Sequence, residues 1–171
     1  KAVENALTGW IYPDKCFIFY VWQHHQNTEK LLKQAIGGDP LAELVPLTDA
    51  PLPDLSQYSL IGLASGVYMG EPHTAILAFL EKHRKDLAGR KDFTILTSGS
   101  NQKNYSKNFR ALLENCGCSI AGSFQCKGFD TNGPWKLIGG IAKNHPDAAD
   151  ISDAAAFIRG KIKTPLPSHT K

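Results

Sequence analysis

Residues 16–36 read CFIFYVWQHHQNTEKLLKQAI, and this stretch decides the fold. Residues 16–22 are apolar or aromatic without interruption, which is typical of a strand buried on both faces of a parallel sheet. The polar residues 23–28 follow, and an amphipathic helical pattern then continues to Ile36. The stretch predicts a strand, a loop and a helix, with Asn27 as the helix N-cap.

Composition narrows the class of protein. A chain of 171 residues with 42% hydrophobic and 20% charged side chains is typical of one soluble globular domain. The net charge of +3 comes from scattered side chains, so we expect no nucleic-acid partner. No apolar run has the length of a membrane span, so we expect no membrane partner either. The four cysteines favour reduced thiols and a cytoplasmic location.

Strand and helix patterns alternate along the remaining chain. Further strands are predicted at 42–47, 60–64, 93–96 and 119–125, and further helices at 72–87, 105–115 and 151–162. The alternation predicts an α/β fold, with a doubly wound five-stranded parallel sheet in three α/β/α layers. We expect an N-terminal extension at 1–14, one domain at 15–163, and a frayed C-terminal tail at 164–171.

Ligands of such sheets bind outside the carboxyl ends of the strands, where the loops 23–28, 65–70 and 97–100 should lie. The first loop combines helix amides with the Thr28 hydroxyl and suits a phosphate, although an ordinary capped helix explains it as well. In the second loop, glycines flank Tyr68, which either stacks on a flat ligand or marks a tight turn. The third loop offers uncharged hydroxyls and amides, or is a polar turn.

Three segments together resemble the flavodoxin family. WQHHQNTEK, residues 22–30, is similar to the branch whose phosphate loop reads S-x-H-H-x-N-T. IGLASGVYMGEPHTAILAFLE, residues 61–81, resembles that family's third strand, flavin loop and following helix. CKGFDTNGPWKLIGGIAKNHPDAADI, residues 126–151, resembles the C-terminal signature of the same branch. The resemblance implies a flavodoxin-like sheet of order 2-1-3-4-5 with FMN at its switch point.

The resemblance also implies where FMN lies. The phosphate would be held by 23–28, the ring would lie between 65–70 and 97–99 with Tyr68 against it, and Gly66 would be the small residue whose peptide turns towards the reduced flavin. Phe129 and Asp130 would border the flavin edge. The residues implied to bind the cofactor are Gln23, His24, His25, Gln26, Asn27, Thr28, Ser65, Gly66, Val67, Tyr68, Met69, Gly70, Thr97, Ser98, Gly99, Phe129 and Asp130. No catalytic side chain and no metal is expected.

Two features depart from the family pattern. Trp22 stands where the branch has a small hydroxyl residue, and the net charge is +3 where typical flavodoxins are strongly acidic. We expect an FMN-binding electron carrier that works with redox partner proteins, rather than a turnover enzyme. Two alternatives remain open: a flavodoxin-like interaction domain with weakened or lost FMN binding, and an NAD(P)H-dependent FMN quinone reductase. Whether the chain is a monomer or a dimer is also open.

Overall fold

The computed structural model describes residues 3–5, 10–12, 16–21, 25–47, 52, 54–55, 58, 60–100, 104–163 and 166–167. Trp22, Gln23 and His24 lie outside the described residues, so the expectations placed on them stay predictions. No helix in the described ranges is long and apolar enough to cross a bilayer.

The strands are β1 (Val3–Asn5), β2 (Trp10–Tyr12), β3 (Cys16–Tyr20), β4 (Ala42–Pro46), β5 (Leu60–Tyr68), β6 (Glu71–Pro72), β7 (Lys91–Ser98), β8 (Ser119–Lys127) and β9 (Leu166–Pro167). The α-helices are α1 (Asn27–Ile36), α2 (Thr74–Lys82), α3 (Arg84–Leu87), α4 (Tyr105–Asn115) and α5 (Ala148–Ile162), and a 3-10 helix spans Gly133–Ile138.

The main sheet has the order β4-β3-β5-β7-β8, and every neighbouring pair on that path is parallel. Counted along the chain, these five parallel strands follow the order 2-1-3-4-5, which confirms the predicted flavodoxin-like fold. The sheet also carries β6, which pairs with β5 in the antiparallel sense and was not expected. From β3 the chain first adds β4 on one side and then adds β5 on the other. The strand order therefore reverses between β3 and β5, and the switch point lies there.

Strand β3 is buried on both faces, as its unbroken apolar run predicts. Its residues are between 0 and 4% exposed. Ile18 packs in the core beneath α1 and α5, while Phe17 and Phe19 pack in the core beneath α2, α3 and α4. The sheet is therefore the middle of three layers, and its carboxyl edge is left open for loops.

Several element boundaries differ from the expectation. Strand β3 ends at Tyr20, and residues 65–68 continue β5 instead of forming a loop. Met69 and Gly70, at φ 52° and 94°, form the two-residue turn into β6, and this left-handed geometry is that of tight hairpins. His83 divides the expected helix 72–87 into α2 and α3.

Helix α5 begins at Ala148, three residues earlier than expected at 151. Asp147 and Asp150 form a reciprocal capping box that fixes its first turn. This start was missed because Ala148, Ala149 and Asp150 carry no large apolar side chain, and the apolar period used to locate the helix begins only at Ile151.

The two ends of the chain meet in a separate three-stranded antiparallel sheet of order β1-β2-β9. Strand β9 pairs through Leu166 with Ile11 and through Pro167 with Trp10. Part of the tail expected to fray is thus hydrogen-bonded to the N-terminal extension. The domain boundaries expected between residues 14 and 15 and between residues 163 and 164 stay predictions.

Asp92 is a buried carboxyl at the amino edge of the sheet, opposite the predicted site. It is 0% exposed, and neither carboxylate oxygen has a hydrogen-bond partner among the described residues. Burial raises the pKa of Asp92 to about 7, although the nearby Arg90 charge acts in the other direction. The native state therefore prefers the neutral acid.

We expect the free energy of unfolding to fall as the pH rises from about 4 to about 7. In this range the unfolded chain releases the Asp92 proton while the native state holds it. Stability is therefore highest below the pKa of Asp92 in the unfolded chain, and it is lost as the pH rises to the pKa of Asp92 in the native state. The loss reaches at most about 4 kcal/mol. Urea unfolding at pH 4 and pH 8 measures it. Asp92→Asn should flatten the dependence, and the exposed Asp153→Asn should leave it unchanged. If the free energy of unfolding of the parent protein depended on pH as little as that of Asp92→Asn, the raised pKa of Asp92 would be contradicted.

Candidate functional site

One cavity of about 310 Å³ opens at the carboxyl edge of the sheet, beside the switch point. Its size lies at the lower end of the range of about 300–1,000 Å³ that small-molecule sites occupy. Four chain segments surround it: the start of α1, the end of β5, the end of β7, and the segment that follows β8. The lining residues are His25, Asn27, Thr28, Gly66, Val67, Tyr68, Thr97, Ser98, Gly99, Gly128, Phe129, Asp130, Thr131, Asn132, Gly133 and Lys136.

Helix α1 presents an uncapped N-terminus to this cavity. His25 and Gln26 both adopt left-handed backbone angles, at φ 54° and 52°, and bring the chain sharply into the helix. Gln26 holds the N-cap position without a side-chain cap, so the expected N-cap role of Asn27 is wrong. The first helical amides have no intrahelical acceptor. They leave partial positive charge at this end of the cavity.

The Asn27 side chain makes a long-range contact instead of capping. Its amide nitrogen donates to the Phe129 carbonyl at 2.7 Å, across 102 residues of sequence. A Cβ atom on Gly128 would lie 2.8 Å from that same nitrogen, so only glycine leaves room for it. Asn27 therefore ties the start of α1 to the segment after β8, a partner that local sequence does not reveal.

His25 strengthens the same connection. One of its ring nitrogens, Nε2, lies 2.8 Å from the Thr131 hydroxyl, and its ring centroid lies 4.3 Å from that of Phe129. Together with Asn27, these contacts form what we call the clasp: His25 and Asn27 on one side, Phe129 and Thr131 on the other. The clasp closes one wall of the cavity.

A buried pair of hydroxyls forms the floor. Thr28 Oγ1 and Thr97 Oγ1 lie 2.9 Å apart, and the two residues are 2% and 3% exposed. One hydroxyl donates to the other, which leaves the second proton free to donate elsewhere. The pair fixes the N-terminus of α1 against the carboxyl end of β7.

Tyr68 forms a further wall of the cavity. Its ring folds back over Gly66, where a Cβ atom would lie 2.8 Å from the tyrosine oxygen. The His73 ring meets it edge-on at 5.4 Å. His73 Nδ1 accepts from the Ala75 amide and caps α2, and burial lowers the pKa of His73. The imidazole is therefore held neutral as a cap.

Gly66 does not lie in a loop. It pairs with Thr97 within the sheet, and its carbonyl accepts from the Ser65 hydroxyl at 2.7 Å. The Ser65 oxygen also accepts from the His73 amide at 2.9 Å. The peptide movement implied for Gly66 would have to break the bond from Ser65, and it stays a prediction.

The lining carries one charge of each sign. Asp130 lies against Gly99 and accepts from the Asn132 amide at 2.7 Å. Lys136 belongs to the 3-10 helix, is exposed, and forms no ion pair within the described part of the chain. The cavity therefore has uncharged donors at its α1 end and the free cation on the rim.

The structure brings most of the expected site residues together. Eleven of them line the cavity: His25, Asn27, Thr28, Gly66, Val67, Tyr68, Thr97, Ser98, Gly99, Phe129 and Asp130. Four described ones do not line it: Gln26, Ser65, Met69 and Gly70. Gln26 and Ser65 instead shape the backbone beside it, and Met69 is 97% exposed at the hairpin tip. Gln23 and His24 lie outside the described residues.

Sequence reasoning missed five lining residues: Gly128, Thr131, Asn132, Gly133 and Lys136. All of them belong to the segment after β8, which has no periodic pattern. The glycine-rich run 126–151 was the one sequence signal for these residues, and only Phe129 and Asp130 were selected from it as cofactor-binding residues.

The donor set suits a flat, uncharged ring system joined to an anion. Asn27 and Thr28, in the first turn of α1, contribute backbone amides and a hydroxyl to the lining. Ser98 and Asn132 add neutral hydrogen-bonding groups. Gly66 and Gly99 allow the side chains of Tyr68 and Asp130 to pack directly on the backbone. These residues fit the phosphate and ring of FMN.

Comparison with known proteins gives one clear relative in sequence. The chain is 38% identical over 152 residues to the uncharacterized protein MJ0298 of Methanocaldococcus jannaschii, covering 87% of this chain and 99% of that protein. No family model matches the chain.

Solved structures confirm the fold. Oxidised flavodoxin 1 from Bacillus cereus superposes with a TM-score of 0.63 at 16% identity, over 92% of this chain and 99% of that one. A Lactobacillus acidophilus flavoprotein in complex with FMN gives 0.54 at 19% identity, over 66% and 93%. An NADPH-quinone reductase from P. pentosaceus gives 0.58 at 14% identity, over 84% and 96%. The structural neighbours are flavodoxins and flavodoxin-like flavoproteins.

The hydroxyl pair can be tested by stability. We expect Thr28→Val to lower the free energy of unfolding by about 1–3 kcal/mol, because it leaves the buried Thr97 hydroxyl without its partner. Thr94→Val is the matched control, since the Thr94 hydroxyl is buried with no partner among the described residues. That control should be neutral or stabilising. Equal losses in the two variants, measured by urea unfolding, would contradict the pairing.

Proposed function

We propose that this chain, which belongs to the same family as the Methanocaldococcus jannaschii protein MJ0298 and has the flavodoxin-like fold, binds FMN and carries electrons between proteins. The observation that carries the proposal is the cavity at the switch point, where the uncapped N-terminus of α1 meets the Thr28–Thr97 pair. Neighbours of this fold include a flavoprotein in complex with FMN.

The α1 end of the cavity would hold the phosphate. Backbone amides in the first turn supply donors, and the helix dipole favours a dianion. The hydroxyl proton left over by the Thr28–Thr97 pair supplies one donor more. No Lys or Arg of the lining is needed there, and Lys136 belongs to a separate segment.

The opposite end would hold the ring. Tyr68 provides an aromatic face on one side, and the backbone of Ser98–Gly99 approaches from β7. Phe129 to Asn132 close the third side, held by the clasp and by the hydrogen-bonded pair Asp130–Ile141. These walls would orient a bound ring and exclude water from its faces.

FMN supplies the redox chemistry itself, in steps of one or two electrons. The chain contributes position and field, and no lining side chain is assigned as an acid or base. His73, held neutral as the cap of α2, is a structural group beside Tyr68.

The phosphate assignment is tested by comparing FMN with riboflavin. We expect FMN to bind at least about ten-fold more tightly, since riboflavin lacks the group that the α1 amides would hold. Thr28→Val should weaken FMN binding by about 10- to 100-fold, which corresponds to about 1.5–3 kcal/mol for a charge-assisted hydrogen bond, and should change riboflavin binding less. Flavin fluorescence quenching measures all of these affinities.

Thr28→Ser is the control, because it keeps the hydroxyl and should keep FMN affinity. Equal affinities for FMN and riboflavin would refute the phosphate site, and no binding of either flavin would refute the proposed function. If a colourless parent gains FMN affinity on Trp22→Ser, the chain is instead an interaction domain that has lost its flavin.

A reductase is the second candidate, because an NADPH-quinone reductase is among the structural neighbours. The FMN-loaded protein is mixed with NADPH and a soluble quinone, and NADPH absorbance is followed. Catalytic consumption of NADPH would favour the reductase, whereas flavin reduction only by a protein donor favours the carrier.

A further inference from the structure

The segment after β8 exposes apolar side chains beside the cavity. Among the described residues, five large apolar side chains are exposed: Leu41, Met69, Trp135, Leu137 and Ile138. Three of these five lie in one short 3-10 helix, Gly133–Ile138, at 42%, 89% and 63% exposure for Trp135, Leu137 and Ile138. We call these three side chains the apolar platform. Exposed apolar groups clustered in this way mark an interaction surface.

The platform is held outward by its backbone. The 3-10 helix ends at Gly139, whose left-handed φ of 74° reverses the chain. The Gly139 amide donates to the Lys136 carbonyl, and the Gly140 amide donates to the Trp135 carbonyl at 2.8 Å. Asp130 and Ile141 then exchange both backbone hydrogen bonds and close the loop at its base. The apolar side chains are therefore presented to solvent by a fixed turn.

The platform and the cavity are continuous. Lys136 lies between Trp135 and Leu137 in sequence and also lines the cavity. A protein that covers the platform therefore contacts the mouth of the proposed FMN site, where electrons would enter or leave.

The charge around the platform is positive. Residues 133–144 contain the exposed Lys136 and Lys143 and no acidic residue, and Asp130 and Asp147 are the nearest acidic residues on either side in sequence. Asp130 is half-buried and engaged with the Asn132 amide. The ammonium of Lys143 lies 3.3 Å from the position of a Cβ on Gly139, directly beside the platform. A partner of opposite charge is favoured here.

We propose that the apolar platform and its lysines dock an acidic redox protein, which exchanges electrons with FMN through the cavity mouth. This inference rests on the proposed function. The charge argues against a second copy of this chain, because a two-fold contact through this face would set lysine against lysine. An anionic lipid surface would seal the cavity mouth against an electron-transfer partner, so we assign the surface to a protein.

The test uses two probe proteins of opposite charge, an acidic [2Fe–2S] ferredoxin and a basic cytochrome c. Calorimetry measures the binding of each to the flavin-free and to the FMN-loaded protein, and stopped-flow absorbance measures electron transfer. We expect the ferredoxin to bind more tightly than the cytochrome, and its transfer rate to fall at least about ten-fold between low and high salt.

Two variants test the surface, and each has a matched control. Leu137→Ser and Lys143→Glu should each weaken ferredoxin binding at least about ten-fold while leaving FMN affinity unchanged. Leu41→Ser and Lys85→Glu alter exposed residues at the opposite edge of the sheet, before β4 and in α3, and should leave ferredoxin binding unchanged.

The outcomes separate this inference from the proposed function. A protein that binds FMN but prefers the cytochrome, or responds equally to the control variants, overturns the docking surface alone. A protein that binds no flavin but binds ferredoxin through Leu137 and Lys143 overturns the carrier function while the surface stands. Binding to phosphatidylserine vesicles in place of ferredoxin, or self-association lost on Leu137→Ser, also overturns the docking proposal.

Discussion

The structure depends on one constraint, which is that β3 has no polar face. Every residue from Cys16 to Tyr20 is apolar or aromatic and almost wholly removed from water. Helices must therefore cover both sides of the sheet, and the neighbouring strands must run on both edges of β3. Strand β4 lies on one side of β3 in the sheet, and β5 lies on the other. The connections to these two strands therefore diverge, and a crevice opens at the carboxyl end of β3. The cavity occupies that crevice.

The two edges of the sheet differ in whether their polar side chains have hydrogen-bond partners among the described residues. At the carboxyl edge, the Thr28 and Thr97 hydroxyls satisfy each other, and Asn27 reaches the Phe129 carbonyl. At the amino edge and in the interior, Asp92 and Thr94 are buried without a partner among the described residues. Paired polar groups rigidify a site, whereas unpaired ones oppose folding. The Asn27–Phe129 contact and the Thr28–Thr97 pair thus hold the walls of the cavity in place, and Asp92 makes stability sensitive to pH at a distance from them.

The segment after β8 combines two roles. Its inner side, through Phe129 and Asp130, closes the cavity, and its outer side presents the apolar platform. Both depend on the same backbone hydrogen bonds between Asp130 and Ile141. Since a partner on the platform would rest on the wall of the cavity that we propose holds FMN, docking and electron exchange would be coupled by position alone.

The sequence by itself determined the parallel sheet, its covering helices and the general place of the site, because these follow from apolar periodicity and from chain order. It also selected Thr28, Tyr68 and Thr97, all of which line the cavity, through their place after the predicted strands. Only the tertiary structure showed that Asn27 bonds to Phe129 instead of capping α1, that Lys136 lines the cavity, and that β9 joins the chain's ends. Each of these depends on groups separated by tens to more than a hundred residues, and their meeting is set by the packed fold, which no local pattern encodes.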